Sequence, residues 1–198
     1  KQQFVDDQKV KSSLDFLSEL QAQVRLIASH YEDQPAVPFL LAFQAAVLLK
    51  ARSVQIHLGR DWVQLQARVH EQPSLVCSQQ GFWQDSQAPG WQKKLRRALL
   101  LLQAQGWRDP FLQVEGPKTI WRFTFQGGKP KVDSSPQPTA FEHWRVSLRA
   151  SFKRTWWNPR AAAAKQRAGL QQELGHRLLL SPVVWRFDGA STHRPAPE

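Results

Sequence analysis

The sequence predicts an α+β fold, a two-layer sandwich in which helices cover one face of a mixed or mostly antiparallel sheet. Several short segments alternate apolar and polar residues with a period of two, which is typical of strands that bury one face. Longer segments between them carry apolar residues at the three- and four-residue spacing of helices. Hairpins with helices between them are typical of this architecture.

The N-terminal part of the chain predicts two helices and a hairpin. Ser12 and Asp15 resemble a capping box at the start of the first helix. Five apolar residues follow at helical spacing: Leu14, Leu17, Leu20, Val24 and Ile27. The prolines in residues 31–38 end this helix, and "FLLAFQAAVLL" then predicts a second helix that is apolar nearly all round and therefore buried. The alternating runs "SVQIHL" and "DWVQLQARVH", on either side of a turn at residues 59–61, predict a β-hairpin.

The remainder of the chain predicts a long loop, two more helices and four strands. Residues 73–90 show no period, so we expect a loop that is mobile or ordered by a partner. "WQKKLRRALLLLQAQGW" predicts a third helix that ends at Gly106, and "FLQVEG" with "TIWRFTFQGG" predicts a second hairpin. We interpret "KPKVDSSPQPT" as a solvated loop and "HWRVSLRASF" as a strand. A helix that begins after Asn158 and Pro159 leads to the last strand, "VVWRF".

The length of 198 residues fits one domain. We expect a single α+β domain over residues 1–189. Within it, residues 1–35 form an N-terminal helical segment and residues 73–90 form the long loop. Residues 190–198 are expected to be a disordered tail.

The composition favours a basic protein with a polyanionic partner. Lys and Arg number 27 against 16 Asp and Glu, which gives a net charge of +11. We therefore expect nucleic acid or an acidic protein as the partner, while the oligomeric state stays open. Cys77 is the one cysteine, which suits a reducing compartment and predicts a cytoplasmic location. The most apolar run, residues 39–49, is shorter than the roughly 20 residues that a membrane span needs.

Motifs of common enzymes are absent from the sequence. It contains neither a phosphate-binding G-x-x-x-x-G-K-[ST] loop nor a G-x-S-x-G nucleophile elbow. The six histidines fall in six separate segments, and none has a second ligand at metal-binding spacing. We therefore expect no catalytic residue, no metal and no cofactor, and we favour a protein that is not an enzyme.

The segment "VPFLLAFQAAVLLKARSVQIHLG" resembles the start of the GHKL superfamily domain, the nucleotide-binding domain of DNA gyrase, MutL, the large heat-shock chaperones and histidine kinases. The later segments "LRRALLLLQAQGWRDPFLQVEGPKTIWRFTFQGGKP", "WRVSLRASFKRTWW" and "ELGHRLLLSPVVWRFDG" are similar to that domain in order and hydrophobic pattern. The resemblance covers about three-quarters of the chain. It implies the superfamily's sandwich fold and its nucleotide site.

The resemblance also implies that the nucleotide site is degenerate. The position of the superfamily's catalytic Glu falls on Ala42, and that of its magnesium-binding Asn falls on Ala46. The D-x-G-x-G motif is expected between His70 and Gly90 and is missing there. Alanine offers neither a general base nor a metal ligand. The sequence leaves open whether this is an emptied nucleotide site or a core helix of an unrelated α+β domain.

Residues 143–172 and "WQKKLRR" carry the candidate binding residues. Cationic groups neutralise phosphates and indole rings stack on bases, so we predict contact with nucleic acid or another anion. The predicted residues are Arg145, Arg149, Lys153, Arg154, Trp156, Trp157, Arg160, Lys165, Arg167, Lys93, Lys94, Arg96 and Arg97. A solvated strand face would equally suit Arg145 and Arg149. The paired tryptophans would also suit a core cap or an anchor for a protein partner.

Three classes of function follow from these observations. We favour a non-catalytic basic binding or scaffold module that contacts nucleic acid or an acidic protein. The first alternative is a GHKL-type nucleotide-binding protein or ATPase with a displaced site. The second alternative is a structural subunit of a larger assembly, in which the charge serves solubility.

Overall fold

The computed structural model describes residues 34–70, 87–136, 143–153 and 159–187, together with residues 22, 26, 29–31, 73 and 82–83. Three helices separate groups of one to four strands along the described part of the chain. The elements are α1 (Val37–Leu48), β1 (Ser53–Leu58), β2 (Trp62–Val69), α2 (Gly90–Ala104), β3 (Arg108–Glu115), β4 (Thr119–Gln126), β5 (Lys129–Pro136), β6 (Trp144–Ser151), α3 (Pro159–Arg177) and β7 (Trp185–Phe187).

The strands form one seven-stranded mixed sheet in the order β5-β4-β3-β6-β2-β1-β7. Neighbouring strands are antiparallel except for β1 and β7, which run parallel. Because β6 and β7 are separated by β2 and β1, the connection through α3 crosses two strands to reach the edge of the sheet. This architecture confirms the predicted α+β class with a mixed sheet.

One face of the sheet packs against the helices. Alternate residues of β1 and β2, such as Val54 and Leu65, are buried, while those between them are partly or fully exposed. Phe39 of α1, Leu99 of α2 and Leu170 of α3 join the same buried cluster. Burying a large aliphatic or aromatic side chain completely stabilises a fold by roughly 1.5–3 kcal/mol, so this face holds the helices in place. The prediction that both strands of the first hairpin, β1 and β2, bury one face is confirmed.

The prediction of a solvated loop at "KPKVDSSPQPT" is wrong, because residues 129–136 form the edge strand β5. Gly127 and Gly128 have φ angles of +57° and +77°, which allow a tight turn that folds β5 back onto β4. An edge strand pairs on one side only, so it tolerates proline and needs no apolar alternation. Most side chains of β5 are exposed, which explains why its sequence resembles a loop.

Within the predicted loop at residues 73–90, Phe82 and Trp83 are helical and buried. The ring of Phe82 lies 4.1 Å from that of Phe123, and the ring of Trp83 lies 5.2 Å from that of Phe125. These two aromatic residues therefore belong to the core. The other residues of the span lie outside the described residues, apart from residue 73 and residues 87–90.

Most of the predicted N-terminal helix lies outside the described residues. Residues 22, 26 and 29–31 are helical where they are described. The predicted tail at 190–198 is also outside the described residues, so the domain boundaries stay predictions.

Candidate functional site

The face of the sheet opposite the helices, called the open face below, carries polar residues in register. One residue from each of the seven strands forms a row across the sheet. This central row consists of Arg186, Gln55, Gln66, Ser147, Gln113, Arg122 and Asp133. The amide of Gln66 donates a hydrogen bond to the Ser147 hydroxyl at 3.4 Å. A row of side chains that can form hydrogen bonds therefore crosses the sheet, and Ser147 at its centre is 2% exposed.

A second row, next to the central row, brings two arginines together. The register places Arg68 on β2 opposite Arg145 on β6, and Arg145 opposite Glu115 on β3. Glu115 accepts a hydrogen bond from Arg145 at 3.1 Å and another from the Gln113 amide at 2.8 Å. Like charges directly opposite each other are unfavourable, and Glu115 relieves this only for Arg145. Among the described residues, Arg68 forms no ion pair.

A third row, on the other side of the central row, places Arg149 of β6 opposite Phe111 of β3. Arg149 lies over the ring of Trp62 at 4.4 Å. The ring of Trp62 in turn covers Gly59, where a Cβ atom would lie 2.3 Å from the indole. Glycine in this turn therefore lets Trp62 lie flat and support Arg149. In the same way, Arg122 of the central row lies 4.0 Å over the ring of Phe111.

These cation–π contacts orient the arginines for recognition. A guanidinium that lies on an aromatic ring keeps its N–H groups directed outward along its plane. Those donors match the oxygen atoms of phosphate or carboxylate groups, which guanidinium binds in a bidentate manner. The open face can therefore bind anions at several points.

A groove at the β7 edge of the open face, called the edge groove below, holds further cations. Its volume is about 470 Å³. The basic and imidazole side chains that line it are Arg52, Arg68, Arg186, His70 and His143. The rings of His70 and His143 lie 5.0 Å apart at an angle of 80°. The sequence places the two histidines in separate segments and does not show that they meet. The alternation of β2, by contrast, is sufficient to place Arg68 on the same face as Gln66.

The predicted binding residues occupy both faces of the sheet. Arg145 and Arg149 lie on the open face. Lys153 is exposed just after β6, and its backbone N–H donates a hydrogen bond to Gln166 at 3.2 Å. The predicted residues of α3 are exposed or half-buried: Arg160, Lys165 and Arg167. Arg154, Trp156 and Trp157 lie outside the described residues.

The cations of α2 belong to the helical layer, on the other side of the sheet. Lys94 donates a hydrogen bond to the Gln44 side chain at 2.7 Å, and Arg96 donates one to the backbone carbonyl of Trp83 at 2.8 Å. Lys93 is half-buried and Arg97 is exposed. The structure therefore does not bring these four residues together with Arg145 and Arg149.

The positions singled out by the superfamily resemblance are in the core. Ala42 and Ala46 of α1 have 1% and 2% of their surface exposed. Their methyl groups pack in the buried cluster between the helices and the sheet. Gln44, between them, is exposed and bonded to Lys94. Neither alanine can move a proton or bind a metal.

Two further findings concern metal sites and membrane spans. Among the described residues, no three His, Cys, Asp or Glu side chains come together in a way that could bind a metal ion. The described helices also include none with the length and hydrophobicity required to cross a membrane.

Comparison with known families and with curated proteins finds no match for this chain. Solved structures do show similarity. The B-subunit of DNA gyrase from Myxococcus xanthus is 15% identical, with 68% of this chain and 42% of that one covered and a TM-score of 0.43. The ATPase region of Saccharomyces cerevisiae topoisomerase II is 7% identical, with 80% and 48% covered and a TM-score of 0.49.

The ATPase domain of the mismatch repair endonuclease MutL from Aquifex aeolicus is 10% identical. The similarity covers 79% of this chain and 56% of that one, with a TM-score of 0.41. The chain thus spans about half the length of the solved structures to which it is similar.

Proposed function

We propose that this chain is a non-catalytic basic module that binds nucleic acid through the open face of its sheet. The observation that carries the proposal is the register of the three rows, which gathers five arginines on one face. They are Arg68, Arg122, Arg145, Arg149 and Arg186. The two acids in these rows already have cationic partners, since Glu115 pairs with Arg145 and Asp133 pairs with Lys131 at 3.0 Å. The described residues therefore give this face an excess of positive charge.

The dimensions of the face suit a single strand of nucleic acid. Arg186 and Arg122 stand five strand intervals apart in the central row. At about 4.8 Å per interval, the distance between their strands is about 24 Å. At about 3.4 Å per nucleotide, the spacing along one strand of a duplex, this corresponds to roughly seven nucleotides of a strand whose bases stay stacked.

The residues between the arginines favour nucleic acid over an acidic protein. Gln55, Gln66 and Gln113 each offer both a donor and an acceptor, which the edges of bases can use. The stacked pairs Arg149–Trp62 and Arg122–Phe111 present flat surfaces on which bases can stack. An acidic protein partner would need only the cations.

The buried alanines support a role without catalysis. If the chain has the GHKL-type fold that its sequence resembles, Ala42 and Ala46 replace the groups that activate water and bind magnesium. The alternative, a GHKL-type nucleotide binder with a displaced site, would bind ATP. Calorimetric titration with ATP and Mg²⁺ at high salt, where binding of ATP merely as an anion is screened, separates the two, because we expect no heat of binding there.

Fluorescence anisotropy with a labelled 12-nucleotide single strand tests the binding proposal. For single strands, each phosphate contact contributes a slope of about 0.7 in log K against log salt. Changing Arg122 and Arg149 together to Gln should therefore lower the slope by about 1.4 and weaken all sequences alike. The matched control changes Lys93 and Arg97 to Gln, which removes two charges from the helical layer.

Three outcomes would contradict the proposal. If the Lys93 and Arg97 variant lowers the slope and the Arg122 and Arg149 variant does not, the strand binds to the cations of α2, which the sequence also predicts as binding residues. If polyglutamate displaces the strand as well as nucleic acid does at equal charge, the partner is an acidic protein. If the native chain does not bind the strand at low salt, the structural-subunit alternative replaces the proposal.

A further inference from the structure

The edge groove gathers side chains from four separate segments of the chain. Arg52 precedes β1, and its backbone N–H donates to the carbonyl of Arg68 on β2 at 2.9 Å. Arg186 comes from β7, where the register pairs it with Gln55. His70 follows β2 and His143 precedes β6. These strands pair at their ends through Val69 and Trp144, which explains why the two rings meet.

The charge in the groove is not balanced by the described residues. None of the described residues that line it is an acid. No ion pair among the described residues involves Arg52, Arg68 or Arg186. By contrast, the neighbouring Arg145 pairs with Glu115. Glu71 and Glu142, which are adjacent in sequence to the two histidines, lie outside the described residues. Three guanidinium groups that share one groove repel one another, and an anion bound among them would remove that repulsion.

The number of donors identifies the kind of anion. A phosphodiester carries one negative charge, which a single guanidinium neutralises. A phosphate monoester carries about −1.5 to −2 at pH 7 and has three terminal oxygen acceptors. Three guanidiniums and two imidazoles therefore match a monoester and exceed what a diester can use. The volume of about 470 Å³ also leaves room for the group to which the phosphate is attached.

We propose that the edge groove binds the terminal phosphate of a nucleic-acid strand, a proposal that rests on the function proposed above. Arg186 both lines the groove and begins the central row. A strand whose end phosphate occupies the groove can therefore continue along the central row towards Arg122. The open face then binds the strand and the groove selects its end.

The test compares three 12-nucleotide single strands of one sequence, each with an internal fluorescent label, by anisotropy with the full chain. One carries a 5′-phosphate, one a 3′-phosphate, and one has hydroxyl groups at both ends. We expect one of the phosphorylated strands to bind about tenfold more tightly than the hydroxyl-ended strand, the effect of one charge-assisted hydrogen bond. This comparison needs no variant, so it does not depend on whether a variant folds.

Two double variants locate the effect. Changing Arg52 and Arg186 to Gln should bring the ratio of the affinity for the preferred phosphorylated strand to that for the hydroxyl-ended strand close to one. The matched control, Arg122→Gln with Arg149→Gln, should weaken the binding of phosphorylated and hydroxyl-ended strands equally and leave this ratio unchanged. Thermal unfolding checks that each variant folds as the native chain does.

The outcomes separate this inference from the proposed function. Equal binding of all three strands by the native chain would overturn the end-phosphate site and leave nucleic-acid binding in place. An unchanged ratio in the Arg52 and Arg186 variant would likewise exclude the groove as the site that binds the terminal phosphate. Binding of a phosphoserine peptide without binding of any strand would overturn both, and would make the groove a site for a phosphorylated protein.

Discussion

The side chain of Gln105 connects three parts of the chain. The loss of stability on its replacement follows from the three hydrogen bonds that it forms. Its amide nitrogen donates to the backbone carbonyls of Tyr31 at 2.6 Å and Gln34 at 3.1 Å. Its oxygen accepts a hydrogen bond from the indole N–H of Trp107 at 3.1 Å. Gln105 itself is 4% exposed. The change Gln105→Leu leaves a side chain of similar size and removes all three bonds.

The expected loss of stability is about 3 kcal/mol. The two bonds to carbonyls contribute about 1 kcal/mol each, and leaving the buried indole N–H without its acceptor costs a further 1–3 kcal/mol. Burial of the apolar leucine side chain offsets part of this sum. For a domain of this size, each kcal/mol lowers the melting temperature by about 2–4 °C, so we expect a decrease of roughly 6–12 °C.

Thermal unfolding followed by circular dichroism measures the change. The matched control is Gln103→Leu, at a half-buried position of α2 two residues earlier, which should change the stability by less than about 0.5 kcal/mol. If both variants melt at the native temperature, water replaces the three bonds at no cost. The connection between Tyr31, Gln34 and Trp107 then contributes nothing to the fold.

Three further predictions concern charge, core and catalysis. Glu115→Gln should lower stability by about 1.5–3 kcal/mol, the range for a hydrogen bond to a charged group. It should also strengthen nucleic-acid binding, because it removes a negative charge from the open face; unchanged salt-dependent anisotropy would contradict this. Phe82→Ala should lower the free energy of unfolding by about 3–5 kcal/mol in a denaturant titration. A decrease below about 1 kcal/mol would mean that Phe82 does not belong to the core. With Ala42 and Ala46 in the core, purified protein should release phosphate from ATP and Mg²⁺ at the rate of buffer alone; turnover that a carboxylate mutation abolishes would refute this.

The sequence predicted the elements that bury one face. Val54 and Ile56 alternate with polar residues in β1, and the same period marks β2 and β6, so each strand and its buried side could be identified locally. The strand β5 could not be identified in this way. It lies at the edge and buries little, so its alternation is limited to Pro130 and Val132, which is too short to identify a strand. Phe82 was missed because two aromatic residues in a polar span are too few to show a period.

The candidate site, like the fold, could be predicted from the sequence only in part. The alternation in β6 sufficed to place Arg145 and Arg149 on one face of a strand. It could not show that Arg68 stands opposite Arg145, or that the cations of α2 lie on the other side of the sheet. The period of a segment determines by itself which side chains share a face. Which strands become neighbours, and in which register, depends on packing between segments that are distant in the chain, so only the tertiary structure brought His70 to His143 and formed the edge groove.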